Sequence, residues 1–95
     1  MKALVIEPDV LAKLTTFTSA QRLACWHAMA ELPASYGRPH AHTGLSIRKL
    51  RPKLFEFRAG LELRLLFRNE AEGLYVGFVG NHDEVQKVLK SGKLG

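Results

Sequence analysis

Between residues 54 and 68 the apolar side chains fall on every second position, and one glycine separates two such runs. In LFEFRAG, Phe55 and Phe57 share a side; in LELRLLFRN, so do Leu61, Leu63, Leu65 and Phe67. A period of two belongs to extended backbone, so the pattern predicts two strands joined at Gly60. Few other features limit the fold as much, because a slip of one residue would turn every one of these side chains to the wrong face. If both apolar sets meet one core, paired residue numbers sum to an even value and the loop is odd. A loop of Ala59, Gly60 and Leu61 then sets Arg58 opposite Glu62 and Glu56 opposite Arg64. Such pairs contribute roughly a few tenths of a kcal/mol each. Arg68 would face Pro52, with no acid across from it.

The remaining elements are read around this hairpin. KALVIEP is a short strand in which Leu4 and Ile6 oppose Ala3 and Val5. A short helix starts at Pro8, with Val10, Leu11, Leu14 and Phe17 at helical spacing. Ser19 caps a longer helix whose stripe is Ala20, Leu23, Trp26, His27 and Ala30, and Pro33 stops it. Residues 33–46 form a surface loop. GLYVGFVGN is a further strand, and DEVQKVLK a last helix capped by Asn81 or Asp83 and closed at Gly92. The order β-α-α-β-β-β-α predicts an α+β fold, an antiparallel sheet with helices on one face. At 95 residues, one domain spanning 1–95 is expected.

Charge is unevenly spread. The chain carries a formal +5, while residues 38–68 hold eight Lys or Arg against two acids. Such a footprint suits phosphate, an acidic protein or an anionic surface. Within it, IRKLR before Pro52 reads as an exposed basic approach anchored by Ile47 and Leu50. The lone Cys25, the lack of an eighteen-residue apolar run and the lack of a signal peptide give a cytoplasmic reading with no membrane partner. No GxGxxG, P-loop, HExxH, CxxC or GxSxG motif occurs, so no cofactor is expected. His40 and His42 form an H-x-H pair, with Cys25, His27 and His82 as the other soft ligands. Their spacing builds no metal site. Cys25 reads as core packing and His27 as a core-edge residue.

Arginine, lysine and histidine without a carboxylate pair suit metal-free phosphodiester chemistry on RNA. A base takes the 2′-hydroxyl proton, cations hold the developing charge, and an acid protonates the leaving 5′-oxygen. By itself the inventory supports a nucleic-acid-binding surface or a solvated basic sheet face.

GLSIRKLRPKLFEFRAGLELRLLFR followed by GLYVGFVGNHDEVQK resembles the RelE/ParE superfamily of toxins from toxin–antitoxin modules. The strand motif from Lys49 to Arg58, the RLLF at Arg64 to Phe67 and VGNHDEV carry the likeness, and GRPHAHTGL is similar to its HigB-like branch. The resemblance implies a RelE-like domain that cleaves mRNA on the translating ribosome, is wrapped by a cognate antitoxin, and reaches operator DNA only through that complex. It implies Arg64 in phosphate stabilisation, His82 in proton transfer and Lys49 as base or clamp. Arg48, Arg51, Lys53, Arg58 and Arg68 would bind RNA or phosphate. Gln86 stands where many members carry a base-stacking tyrosine. A ParE-type gyrase inhibitor and a non-catalytic antitoxin-binding module are the alternatives, since fold does not decide function.

Overall fold

The structure, a computed structural model, describes residues 2–36 and 45–92. It is an α+β fold, and among the described residues it has five strands and three helices. Strand β1 (Ala3–Ile6) leads into α1 (Pro8–Leu14) and α2 (Ser19–Ser35). Then come β2 (Arg48–Arg51), β3 (Leu54–Ala59), β4 (Leu63–Asn69), β5 (Gly73–Gly80) and α3 (His82–Ser91). All five strands form one sheet in the order β1-β5-β4-β3-β2. Each neighbouring pair from β2 to β5 is antiparallel. β1, however, runs parallel to β5, so the sheet is mixed and not purely antiparallel.

The sheet is covered on both sides. Val10 and Leu14 of α1 and Cys25, Ala28, Met29 and Leu32 of α2 pack on Phe57, Leu65, Phe67, Leu74, Val76 and Val79. Neighbouring strand residues alternate in direction, so Leu54 and Leu66 point the other way, where Val85, Val88 and Leu89 of α3 meet them. Helices therefore lie on both faces, with α3 alone on the second. β5 serves both layers through an irregularity at Gly77: Leu66 pairs with Phe78 while Phe67 pairs with Val76. The extra residue lets Val76 and Val79 face the same core.

Several local expectations shift. The hairpin loop is odd, but it consists of residues 60–62, and Ala59 pairs with Leu63. Glu56 is therefore opposite Leu66, Arg58 opposite Arg64, and Arg68 opposite Leu54. Gly60 takes a φ of 69°, the left-handed turn conformation that tolerates glycine best. The basic approach segment forms an edge strand, β2, giving β-α-α-β-β-β-β-α. Thr18 rather than Ser19 caps α2, through a reciprocal box with Gln21. Pro33 lies inside α2, which ends two residues later. The buried stripe of α2 is Cys25, Ala28, Met29 and Leu32, at i, i+3, i+4 and i+7. Leu23, Trp26 and His27 are exposed. Of the loop expected at 33–46, residues 37–44 lie outside the described residues, His40 and His42 among them.

Candidate nucleic-acid interface

On the α3 side of β3 and β4 the outward residues are Leu54, Glu56 and Arg58, then Arg64, Leu66 and Arg68. α3 covers the leucines, leaving Glu56, Arg58 and Arg64 together toward the β3–β4 turn. Arg48 of β2 joins them because it pairs with Glu56. Glu56 is 3% exposed. Its Oε1 accepts from Arg64 Nη1 at 2.9 Å, and Arg48 Nη2 lies 3.6 Å from the same oxygen. Arg64 is largely buried and Arg48 mostly exposed. Arg58 is exposed and has no ion-pair partner among the described residues. Two guanidiniums thus share one carboxylate, and a third stands beside them without one among the described residues.

Arg64 pairs with Gly80, the last residue of β5, and α3 begins two residues further on with His82. The helix start is tightly specified. Asn81 Oδ1 accepts from the Glu84 N–H at 2.8 Å, and Glu84 Oε1 accepts from the Asn81 N–H at 2.9 Å. Glu84 Oε2 accepts from Lys13 Nζ at 3.0 Å, tying α3 to α1. The Asn81 N–H, followed by the Lys13 hydrogen bond, holds the Glu84 carboxyl below its ordinary range. Gly80 is required by this arrangement, since a Cβ there would stand 2.9 Å from Glu84 Cβ. At 100° per residue, Val85 and Leu89 turn inward, Glu84 falls on one flank, and His82 and Gln86 fall on the other. His82 is exposed. The end of β5 thus delivers an imidazole next to the strand position that carries Arg64.

Other residues expected at the site go elsewhere. Lys49 pairs with Phe55, whose ring belongs to the α2 side, so Lys49 is on the opposite sheet face from Arg64. Arg51 donates to the Leu89 carbonyl at 2.7 Å and fastens the last turn of α3 to β2. Lys53 is exposed in the turn between β2 and β3 with a φ of 67°, and its carbonyl accepts from the Asn69 N–H. Arg68 lies beyond α3, over the Tyr75 ring at 5.7 Å and near Glu7 and Glu70 at 3.6 and 3.7 Å. The alternation expects acids beside Arg58 and Arg64 and none beside Arg68; among the described residues it is Arg64 and Arg68 that have them and Arg58 that has none. Glu56 was missed as a site residue, although its place between Phe55 and Phe57 signals a carboxylate held on a core strand.

Cys25 is fully buried among apolar neighbours, and burial pushes its thiol up to about 11, which suits packing and not nucleophilic chemistry. No group of three or more His, Cys, Asp or Glu that could hold a metal occurs among the described residues. No helix among them is long and apolar enough to cross a membrane.

The geometry defines a class of surface: an open, cationic sheet face bordered by a helix N-terminus that carries a histidine. Searches of family models, of curated proteins and of solved structures found no match to this chain.

Proposed function

We propose that the chain is a toxin of a toxin–antitoxin pair, of RelE/ParE kind, acting as a metal-independent endoribonuclease on translated mRNA. The observation that supports this most is the cluster of Arg48, Arg58 and Arg64 around Glu56, with His82 starting the adjacent helix. In this reading Arg58, exposed and unpaired among the described residues, meets the scissile phosphate. Arg64 supports it from behind with whatever donors its bond to Glu56 leaves free. The 2′-oxygen attacks the neighbouring phosphorus as its proton departs, and the bond to the 5′-oxygen breaks. Protonation of that oxygen leaves a 2′,3′-cyclic phosphate and a 5′-hydroxyl. His82 carries one of the two proton transfers, since imidazole can both accept and donate a proton, and water completes the other. The cations stabilise charge on the non-bridging oxygens as it grows.

The partners in this reading are a cognate antitoxin, mRNA and the ribosome, with operator DNA contacted through the antitoxin complex, all in the cytoplasm. Lys49, Lys53, Arg51 and Arg68 contribute to the general positive field, not to the reacting phosphate.

A second reading, a surface that only docks an acidic antitoxin, draws on the neutralisation of Arg64 by Glu56. A gyrase-directed toxin of ParE type draws on Gln86 in place of an aromatic side chain on the His82 flank. Brief induction followed by mapping of RNA 5′ ends separates them. Cuts inside translated messages that vanish in Arg58→Ala and His82→Ala support the nuclease. Growth arrest with DNA damage and intact RNA supports the gyrase reading, and absence of toxicity supports the docking surface.

A further inference from the structure

Glu56 is the only carboxylate buried among the described residues, and it sits on β3 between two residues that point into the main core. Its place asks for a reason. The residue across from it is Leu66, which belongs to the apolar layer under α3, so an aliphatic side chain at 56 would extend that layer. Burying a carboxylate is costly, and replacing a buried ion pair by well-packed apolar groups is often neutral or stabilising. Sheet stability alone therefore gives no account of a glutamate here.

Its contacts give one. Both Arg64 Nη1 and Arg48 Nη2 converge on Oε1, whereas Oε2 has no partner among the described residues. Arg64, with 18% of its side chain exposed, has little freedom once this bond forms, while Arg48 at 62% is gathered loosely. Arg58, directly opposite Arg64, receives no such hold. Two cations, on the strands either side of β3, are thus drawn to one carboxylate before any anion arrives, and Arg58 is left to engage it.

We infer that Glu56 is a positioning residue, whose buried carboxylate orients Arg64 and collects Arg48 so that the cluster meets a phosphodiester as a preset fork. This rests on the nuclease reading for its catalytic consequence and not for its binding consequence. Preset donors cost no reorganisation as charge develops, so losing the carboxylate acts on the transition state more than on substrate affinity.

Single and paired substitutions of Glu56 and Arg64 in the intact chain test this. Glu56→Gln is expected to lower kcat at least tenfold with KM within about twofold, both limbs of the pH–rate profile staying in place. Combined with Arg64→Lys it should lose little more than either alone. Replacing Glu56 and Arg64 together by leucine should leave the chain at least as resistant to heat as the parent, whereas Glu56→Leu alone should be equally slow and less stable, since it leaves the Arg64 guanidinium without its carboxylate. A wild-type rate in Glu56→Gln overturns the inference, and so does loss of the acidic limb, which would make the carboxylate itself the proton acceptor. Marked unfolding of the double leucine variant also overturns it, by making the ion pair structural. If the parent protein cuts no RNA, the nuclease reading fails separately. The inference is then decided by affinity for a 2′-O-methylated single-stranded oligonucleotide. Removing a negative charge should by simple electrostatics tighten that binding. A positioning role predicts no tightening in Glu56→Gln, and tighter binding overturns it.

Discussion

Arg58 and Arg64 are direct cross-strand partners on β3 and β4, and among the described residues only Arg64 has a carboxylate answering its charge. Like charges in this relation are destabilising, and the repulsion is relieved when an anion bridges them. Arg58→Ala should therefore lower activity without lowering stability. On the proposed nuclease reading RNA cleavage falls by at least tenfold, while stability stays level or rises by up to about 0.5 kcal/mol. The salt dependence of binding to single-stranded RNA should lose about 0.7 from its logarithmic slope. A clear loss of stability would show that Arg58 has a structural partner.

Gly80 and Gly60 make a matched pair for substitution by alanine. At Gly80 the new methyl group would stand 2.9 Å from Glu84 Cβ and 3.1 Å from the Phe78 ring, so α3 must shift. The expected cost is about 1–3 kcal/mol, with reduced cleavage because His82 moves with the helix. At Gly60 there is open space but a φ of 69°, so the cost is backbone strain of about 1–2 kcal/mol, with activity unchanged. Thermal melts and single-turnover cleavage of both variants provide the check.

Glu84 titrates below its ordinary range because the folded chain stabilises its carboxylate through the Asn81 N–H and Lys13. A folded value below the unfolded one gives stability that is present above the unfolded pKa and lost as pH falls through the folded value. The pair with Lys13 is about 40% exposed on each side, so screening keeps it to a few tenths of a kcal/mol at most. Glu84→Gln keeps the cap and loses the charge. Its melting temperature should lie slightly below the parent's at pH 7, the gap closing once the pH is well under 4.5.

Cys25 moves in the opposite direction, pushed up from 9.0 to about 11 by burial. Its folded pKa exceeds the unfolded one, so its contribution is complete below pH 9 and is lost as pH rises toward 11. Cys25→Ala should lack this part of the alkaline decline, at a packing cost of about 1 kcal/mol. In the native protein at pH 8, iodoacetamide should label Cys25 only as fast as the chain opens.

How much could be read beforehand follows from how local each signal is. The strands at β1, β3, β4 and β5 were legible from alternation, and α3 from a cap, an apolar spacing and Gly92. The hairpin register was off by one step at each strand, since an odd loop allows residues 59–61 or 60–62 and only packing chooses between them. That choice decides which arginine is free. β2 was hidden because a four-residue strand with three cations has little apolar pattern, although such charge is common on sheet edges. The stripe of α2 was misread because Leu23 and Trp26 outweigh Ala28 on a hydropathy scale, whereas the space beside the sheet admits Cys25, Ala28, Met29 and Leu32. For the candidate site, Arg64 pairs with Gly80 two residues before His82, Lys49 falls on the opposite sheet face, and Glu56 was not singled out. Its importance depends on burial and on two converging guanidiniums, which no linear spacing records.

The parallel pairing of β1 with β5 sets a schedule for the chain as it is made. Residues 3–6 leave the ribosome well before the strand beside them, which lies at residues 73–80. Until that strand is synthesised, β1 has no ladder partner, and the cleft between Val76 and the first helix cannot close. Contacts so distant along the chain close slowly. The site depends on the same late event, because His82 follows β5 directly and Arg64 is flanked by it. A nascent chain short of residue 80 therefore holds its basic residues without their arrangement. If the proposed activity is correct, synthesis itself delays it until β5 and the start of α3 have been made.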